Sequence, residues 1–284
     1  MKKAILSISI ILLTIVWLTA CKKEQHLSLP AANTDYFAIN NKPKDKWNAL
    51  DSLCDSIYRD YGVKIVYEYT PQVIRPNDFY YPPNYDKALA YTRNVLKRLW
   101  LEPLKKDFPL YFKDQTPVEF VLMGGYYHSH PTSTDVGSGA GFNGQFYRLG
   151  MGGINQLNLL DKAAVHDHVV ILWHEHAHNQ DQKYGRGEFF DRISVGTYYK
   201  EAWPTKTDAQ ANKDGFFRKY GGFAPEEDFA TTVEHITRYP KQDVLKLIDT
   251  NDKLKIKYNY IYKYYQDKGM DLHKLQQVIY KLIY

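Results

Sequence analysis

The stretch Val169-Val170-Ile171-Leu172-Trp173-His174-Glu175-His176-Ala177-His178 constrains the chain more than any other. A long apolar run carrying two histidines four residues apart is naturally hosted by one buried helix, on which residues i and i+4 stand one above the other. His174 and His178 then offer two imidazoles to one point, with Glu175 beside them. His176 falls on the face of Val169, Leu172 and Trp173 and reads as a packing residue, while His166 and His168 sit nearer the helix start. Asp161 is placed to open the helix, which is expected to end after Asn179.

H-E-x-x-H at this spacing has a chemical reading. Two neutral imidazoles bind a zinc ion, which in a hydrolytic site keeps one position for water. The adjacent carboxylate takes a proton from that water as it attacks a carbonyl polarised by the metal. The expectation is therefore one zinc per chain, with His174 and His178 as ligands and Glu175 as general base. A third protein ligand must come from elsewhere.

The chain opens with Met1-Lys2-Lys3 and then runs from Ala4 to Ala20 without a charge, ending Leu18-Thr19-Ala20-Cys21. That pattern resembles a bacterial lipoprotein signal, with cleavage before Cys21 and lipid on its thiol. Residues 1–20 are then a signal peptide, 21–44 a polar tether and 45–284 a single domain. More than one acyl chain at about 0.8 kcal/mol per buried CH₂ gives durable anchoring. The expected location is the cell envelope, most naturally the outer membrane; Lys22 and Lys23 leave the choice of membrane face open. Cys54 is then the one cysteine left, so no intramolecular disulfide supports the fold, and its helical setting reads as a small buried apolar residue.

The formal charge of +5 drops to +3 without Lys2 and Lys3, and the basic residues are scattered, so nucleic acid is not an expected partner. The 25 tyrosines fit either aromatic contact surface or ordinary packing.

Along the domain, Trp47 to Tyr61 carries apolar residues at helical spacing and Gly62 stops it. Val63 to Tyr69 reads as a strand, Thr70 to Pro83 as a proline-rich connection, Tyr85 to Leu104 as a second helix and Val118 to Met123 as another strand. A glycine-rich segment follows. Its His128 and His130 read as loop residues and not as a ligand pair, and Gly141 to Gly150 is expected to include a sheet edge that an extended peptide could join by strand addition. Three apolar-periodic segments after Val244 are expected to pack as two or three helices. The whole is an α+β domain with a mixed sheet, a metal-binding helix and a helical C-terminal part.

The third ligand is sought in Pro225-Glu226-Glu227-Asp228-Phe229-Ala230-Thr231, where Pro225 suits a first helical turn and acids are favoured. A carboxylate from here would complete a His₂Glu-type set, and helical geometry alone leaves Glu227 and Asp228 open. Tyr198, Tyr199, Tyr220 and His235 are candidates for the hydrogen-bond donor that steadies an oxyanion.

Taken together, Leu18-Thr19-Ala20-Cys21, His174-Glu175-His176-Ala177-His178 and Pro225 to Ala230 resemble a family of gluzincin-like zinc metallopeptidases carried by Bacteroidota lipoproteins, the substrate import-associated zinc metallohydrolase lipoproteins. The resemblance runs over most of the mature chain. It implies a zincin-like fold, a peptide or protein substrate, and components of a TonB-dependent outer-membrane importer as partners. It also implies Glu227 as the zinc ligand, by its match to the first Glu of a Glu-Asp-Phe-Ala-Glu-like segment. Thr231 stands where that segment ends in an acid, leaving Asp228 or Glu234 to supply charge behind the ligands. A zinc-containing scaffold or binding lipoprotein of the importer complex is the alternative.

Overall fold

The computed structural model describes residues 42–68, 81–126 and 146–284, together with the backbone of 139–141. The signal segment, Cys21, nearly all of the tether, much of the proline-rich connection, His128, His130 and residues 142–145 lie outside the described residues.

Helix α1 (Ala49–Tyr61) starts two residues later than the hydrophobic spacing predicts, because Asn48 and Asp51 form a reciprocal capping box, and it ends at Gly62, whose φ of 71° is left-handed. Leu50, Cys54 and Ile57 line its inner face. Burial pushes the Cys54 thiol up to about 12, as suits a packing residue and not a nucleophile. Strand β1 (Lys64–Val66) follows.

The second helix is one rod in three parts: α2 (Tyr85–Tyr91), a π-helical run (Thr92–Leu101) and α3 (Glu102–Asp107). Its wider turns, with Glu102 N–H bonded to the Lys97 carbonyl, still bury Val95, Leu96, Leu99 and Trp100. A short α4 (Pro109–Gln115) comes next; proline at its first turn is the signal that sequence reading passed over.

Strands β2 (Glu119–Leu122), β3 (Gly139–Gly141) and β4 (Arg148–Met151) complete a sheet of order β1-β2-β4-β3. The first three in that order are parallel and β3 is antiparallel to β4. The expected edge is met only at Gly141, the last residue of the edge strand β3; Arg148 to Gly150 belong to β4, which is paired on both sides. Every residue of β2 and β4 is buried, as expected where helices cover a parallel sheet, and the charged exceptions Glu119 and Arg148 neutralise each other across neighbouring strands.

Helix α5 (Lys162–Tyr184) runs beside the sheet, with the Asp161 carboxylate accepting from Ala163 and Ala164 N–H. It continues five residues past the expected end, to Gly185. Trp173 and His176 pack with Trp100 and Tyr111 in a ring cluster, and Tyr111 stacks on Tyr265 from the C-terminal part. His176 is the packing residue expected of it. Short helices α6 (Glu188–Ile193) and α7 (Asp208–Asp214) lead to α8 (Pro225–Arg238), which packs along α5, and α9 (Lys241–Ile248), α10 (Asp252–Gln266) and α11 (Leu272–Ile283) close the same core. No helix among the described residues is long and apolar enough to cross a membrane.

His168 lies inside α5 with Nε2 3.1 Å from the Tyr91 hydroxyl. Burial carries its imidazole down to about 4. An unfolded chain therefore binds a proton at this residue between about pH 6.5 and 4 while the folded one does not, so its contribution is intact above 6.5 and is lost as the pH falls through that window. Relative to His168→Gln, the parent protein is expected to lose about 1–3 kcal/mol of stability from pH 7 to pH 4. Denaturant titrations of both proteins across that range check this; a difference that does not change with pH contradicts it.

Candidate metal centre

His174 and His178 leave α5 one turn apart, their ring centroids 4.9 Å from each other and their Nε2 atoms 3.2 Å apart. Glu227 reaches them from the first turn of α8. Its Oε2 lies 3.2 Å from His174 Nε2 and 3.3 Å from His178 Nε2. That oxygen is buried and lacks a hydrogen bond of good geometry, although two ring nitrogens sit beside it. Three lone-pair atoms therefore face a common point.

Whether zinc fits there is a matter of distances. Bonds of roughly 2.0–2.1 Å in a tetrahedral arrangement put neighbouring ligand atoms about 3.3–3.4 Å apart. The observed separations of 3.2, 3.2 and 3.3 Å match three edges of such a tetrahedron, and the donor set is two imidazoles and a carboxylate. The residues fit the ion. Asp228, one residue on, is turned away from the histidines and pairs with Lys257, so the geometry brings Glu227 and not Asp228 to the histidine pair.

The electrostatics follow from the same contacts. Burial opposes charge on His174, but the carboxylates of Glu227 and Glu234 beside its two ring nitrogens, with Glu175 nearby, outweigh that and lift it to about 10. Burial likewise opposes charge on Glu227, and the two imidazoles reverse it, holding the carboxyl well below the usual range. Cation binding at this point thus competes with proton binding.

His174 is held on its other side too. Glu234, two turns along α8 from Glu227, places Oε2 3.2 Å from His174 Nδ1. Its remaining oxygen is paired with Arg218 and, at 3.1 Å, with Arg238, which also pairs with Asp167. Burial works against the Glu234 charge, but His174 and the two guanidiniums keep its carboxyl at about 2. Glu234 therefore supplies the negative charge that Thr231 does not. Thr231 is fully buried, its hydroxyl bonded to the Asp228 carbonyl, and packs so closely on Gly221 that a β-carbon there would collide with it. Replacing Glu234 by glutamine is expected to weaken zinc binding about 10- to 100-fold by removing the anion behind His174. Competition against a chromophoric chelator measures this, and an unchanged dissociation constant contradicts it.

Glu175 follows His174 on the helix, partly exposed, with its charge felt by both His174 and Tyr220. The Tyr220 ring stacks on His174 at 6.1 Å, and Trp203 and Phe223 pack against it in turn. Burial, followed by the charge of Glu227 and a hydrogen bond to it, pushes the Tyr220 phenol well above its ordinary value, so it stays protonated.

The contacts of the other oxyanion candidates are made with residues other than the three ligands. Tyr198 donates to Asp228 at 3.1 Å, and Tyr199 donates to Asp214 at 2.6 Å. His235 packs between Phe217 and Tyr239 on a different face of α8 from Glu227 and Glu234, and burial lowers it to about 4. Helical arithmetic explains the last case: Glu234 is seven residues from Glu227 and returns to its face, whereas His235 is eight. Arg218 and Lys257 carry no sequence signal of their role, while Arg238 was visible as an i+4 partner of Glu234.

Residues 42–272 match a family described as "putative zinc-binding metallo-peptidase". A crystal structure described as a putative zinc-binding metallo-peptidase from Bacteroides caccae is similar in fold, with a TM-score of 0.60 over 87% of this chain and 95% of that one at 20% identity. No curated protein matches the sequence.

Proposed function

We propose a function from one premise: the chain belongs to the putative zinc-binding metallo-peptidase family. The protein is a zinc-dependent hydrolase of peptide bonds, and the observation that carries this reading is the meeting of His174 Nε2, His178 Nε2 and Glu227 Oε2 at tetrahedral-edge distances.

Those three atoms would hold the ion. When bound, zinc polarises the scissile carbonyl and makes the attacking water more acidic. Glu175 takes the proton from that water and returns it to the leaving amine. Tyr220, kept protonated, donates its O–H to the oxygen where negative charge develops, and Glu234, steadied by Arg218 and Arg238, fixes the His174 ring. The substrate is a peptide or protein. Strand β3, at one edge of the sheet among the described residues and running beside α5, offers an edge for an extended chain to join.

The domain works from a lipid anchor at Cys21 in the envelope, at the outer membrane, alongside components of a nutrient importer. A peptide-library digest with and without chelator tests the activity. Cleavage that chelation stops and zinc restores is the expected result. No cleavage by protein carrying one zinc per chain would overturn it in favour of a scaffold.

A further inference from the structure

Glu227 has to be presented from the first turn of α8, where helices are least constrained. The N-cap, Ala224, has no side-chain oxygen with which to fix that turn. The tolerance is small. With side chains reaching roughly 5–6 Å from a helix axis, a roll of about 10° sweeps a tip through about 1 Å. Metal–ligand distances are held to about 0.2 Å.

The next residue supplies what the cap lacks. Asp228 and Lys257 are both fully buried, with Nζ 2.6 Å from Asp228 Oδ2. The same ammonium donates to the Gly215 carbonyl at 2.6 Å and lies 4.2 Å from the centre of the Phe216 ring. Tyr198 donates to Asp228 as well. One cation on α10 thus ties the first turn of α8 to the end of α7, and none of these groups touches substrate or reacting atoms in the proposed mechanism.

Stability is a poor explanation for such a pair. Taking two charges fully out of water costs about as much as their attraction returns, and apolar replacements of buried pairs are often neutral or stabilising. A directional contact is what an apolar pair would not provide. We infer that Lys257 is a positioning residue of the metal centre: through Asp228 it sets the rotation of α8 that aims Glu227 at His174 and His178. The C-terminal helices are then part of the zinc site's construction and not only of its core. This rests on the ligand set of the proposed function.

The test is zinc affinity, measured by chelator competition on the full chain, with the absorption spectrum of the cobalt-substituted protein as a second readout of ligand geometry. Lys257→Met leaves Asp228 buried and unpaired, so the informative variant is the double one, Lys257→Met with Asp228→Asn, which removes both charges and keeps a partner for Tyr198. The expected result is a metal-free thermal midpoint close to the parent's, a zinc dissociation constant raised about tenfold or more, and an altered cobalt spectrum. A dissociation constant within about twofold of the parent's overturns the inference. So does a double variant that fails to fold, because the pair would then be holding the core together. A parent protein that binds no zinc fails at the ligand set itself, and is thereby told apart from a failure of Lys257.

Discussion

Replacing Glu175 by glutamine is expected to lower kcat/KM on a cleaved peptide by about 100- to 10,000-fold while leaving one zinc per chain. Glutamine keeps the shape and an acceptor oxygen but cannot take a proton from water. Glu175 is not among the three groups whose atoms converge, so its loss leaves the ligand set intact. Steady-state kinetics beside elemental analysis of the same sample separates the two effects. Normal turnover by the variant contradicts the assignment of the base, and loss of zinc contradicts its exclusion from the ligands.

His178→Ala acts on the other half of the centre. It removes one of three protein ligands and leaves Glu227 Oε2 facing His174 alone. If a binding free energy of roughly 10–16 kcal/mol is shared among four ligands, one of them contributes about 3 kcal/mol, or a loss of affinity of roughly a hundredfold or more. Dialysed His178→Ala protein is therefore expected to hold far less than one zinc per chain. The fold should survive, because His178 lies at the accessible end of the cluster while Trp173, His176 and Ala177 form the packed face of α5. Unchanged zinc content contradicts the ligand assignment.

His174 and His178 are legible in the sequence for a physical reason. The i, i+4 spacing inside an apolar run dictates both a helix and the face on which the histidines meet. Glu227 was different. Two adjacent acids on a first turn point about 100° apart, and which one faces α5 is set by how α8 rolls against its neighbours, which local sequence does not encode. Lys257, 29 positions downstream of Asp228, takes part in that choice, and a lysine among many on α10 gives no sign of being fully buried. The contacts of Tyr198 and Tyr199 share this cause: both lie in an irregular segment whose path is fixed by Asp228, Asp214 and Phe216.

The sheet shows the same division. The strands β1 and β2 were visible in β-branched and aromatic runs, but the insertion of β4 between β2 and β3 is a long-range pairing, so a stretch read as including an edge supplies one edge residue, Gly141, and the interior residues Arg148 to Gly150. The π-helical run was also beyond reach, because the apolar pattern of Val95, Leu96, Leu99 and Trp100 is compatible with ordinary helical turns.

The central claim is that two imidazoles and one carboxylate hold a single zinc ion with a position left for solvent. Crystals of the zinc-loaded protein, with anomalous scattering collected at the zinc edge, test it most directly. The account predicts one anomalous peak bonded to His174 Nε2, His178 Nε2 and a Glu227 carboxylate oxygen at about 2.0–2.2 Å, with water as the remaining ligand. A peak held by other residues, or one from which Glu227 is absent, would contradict it.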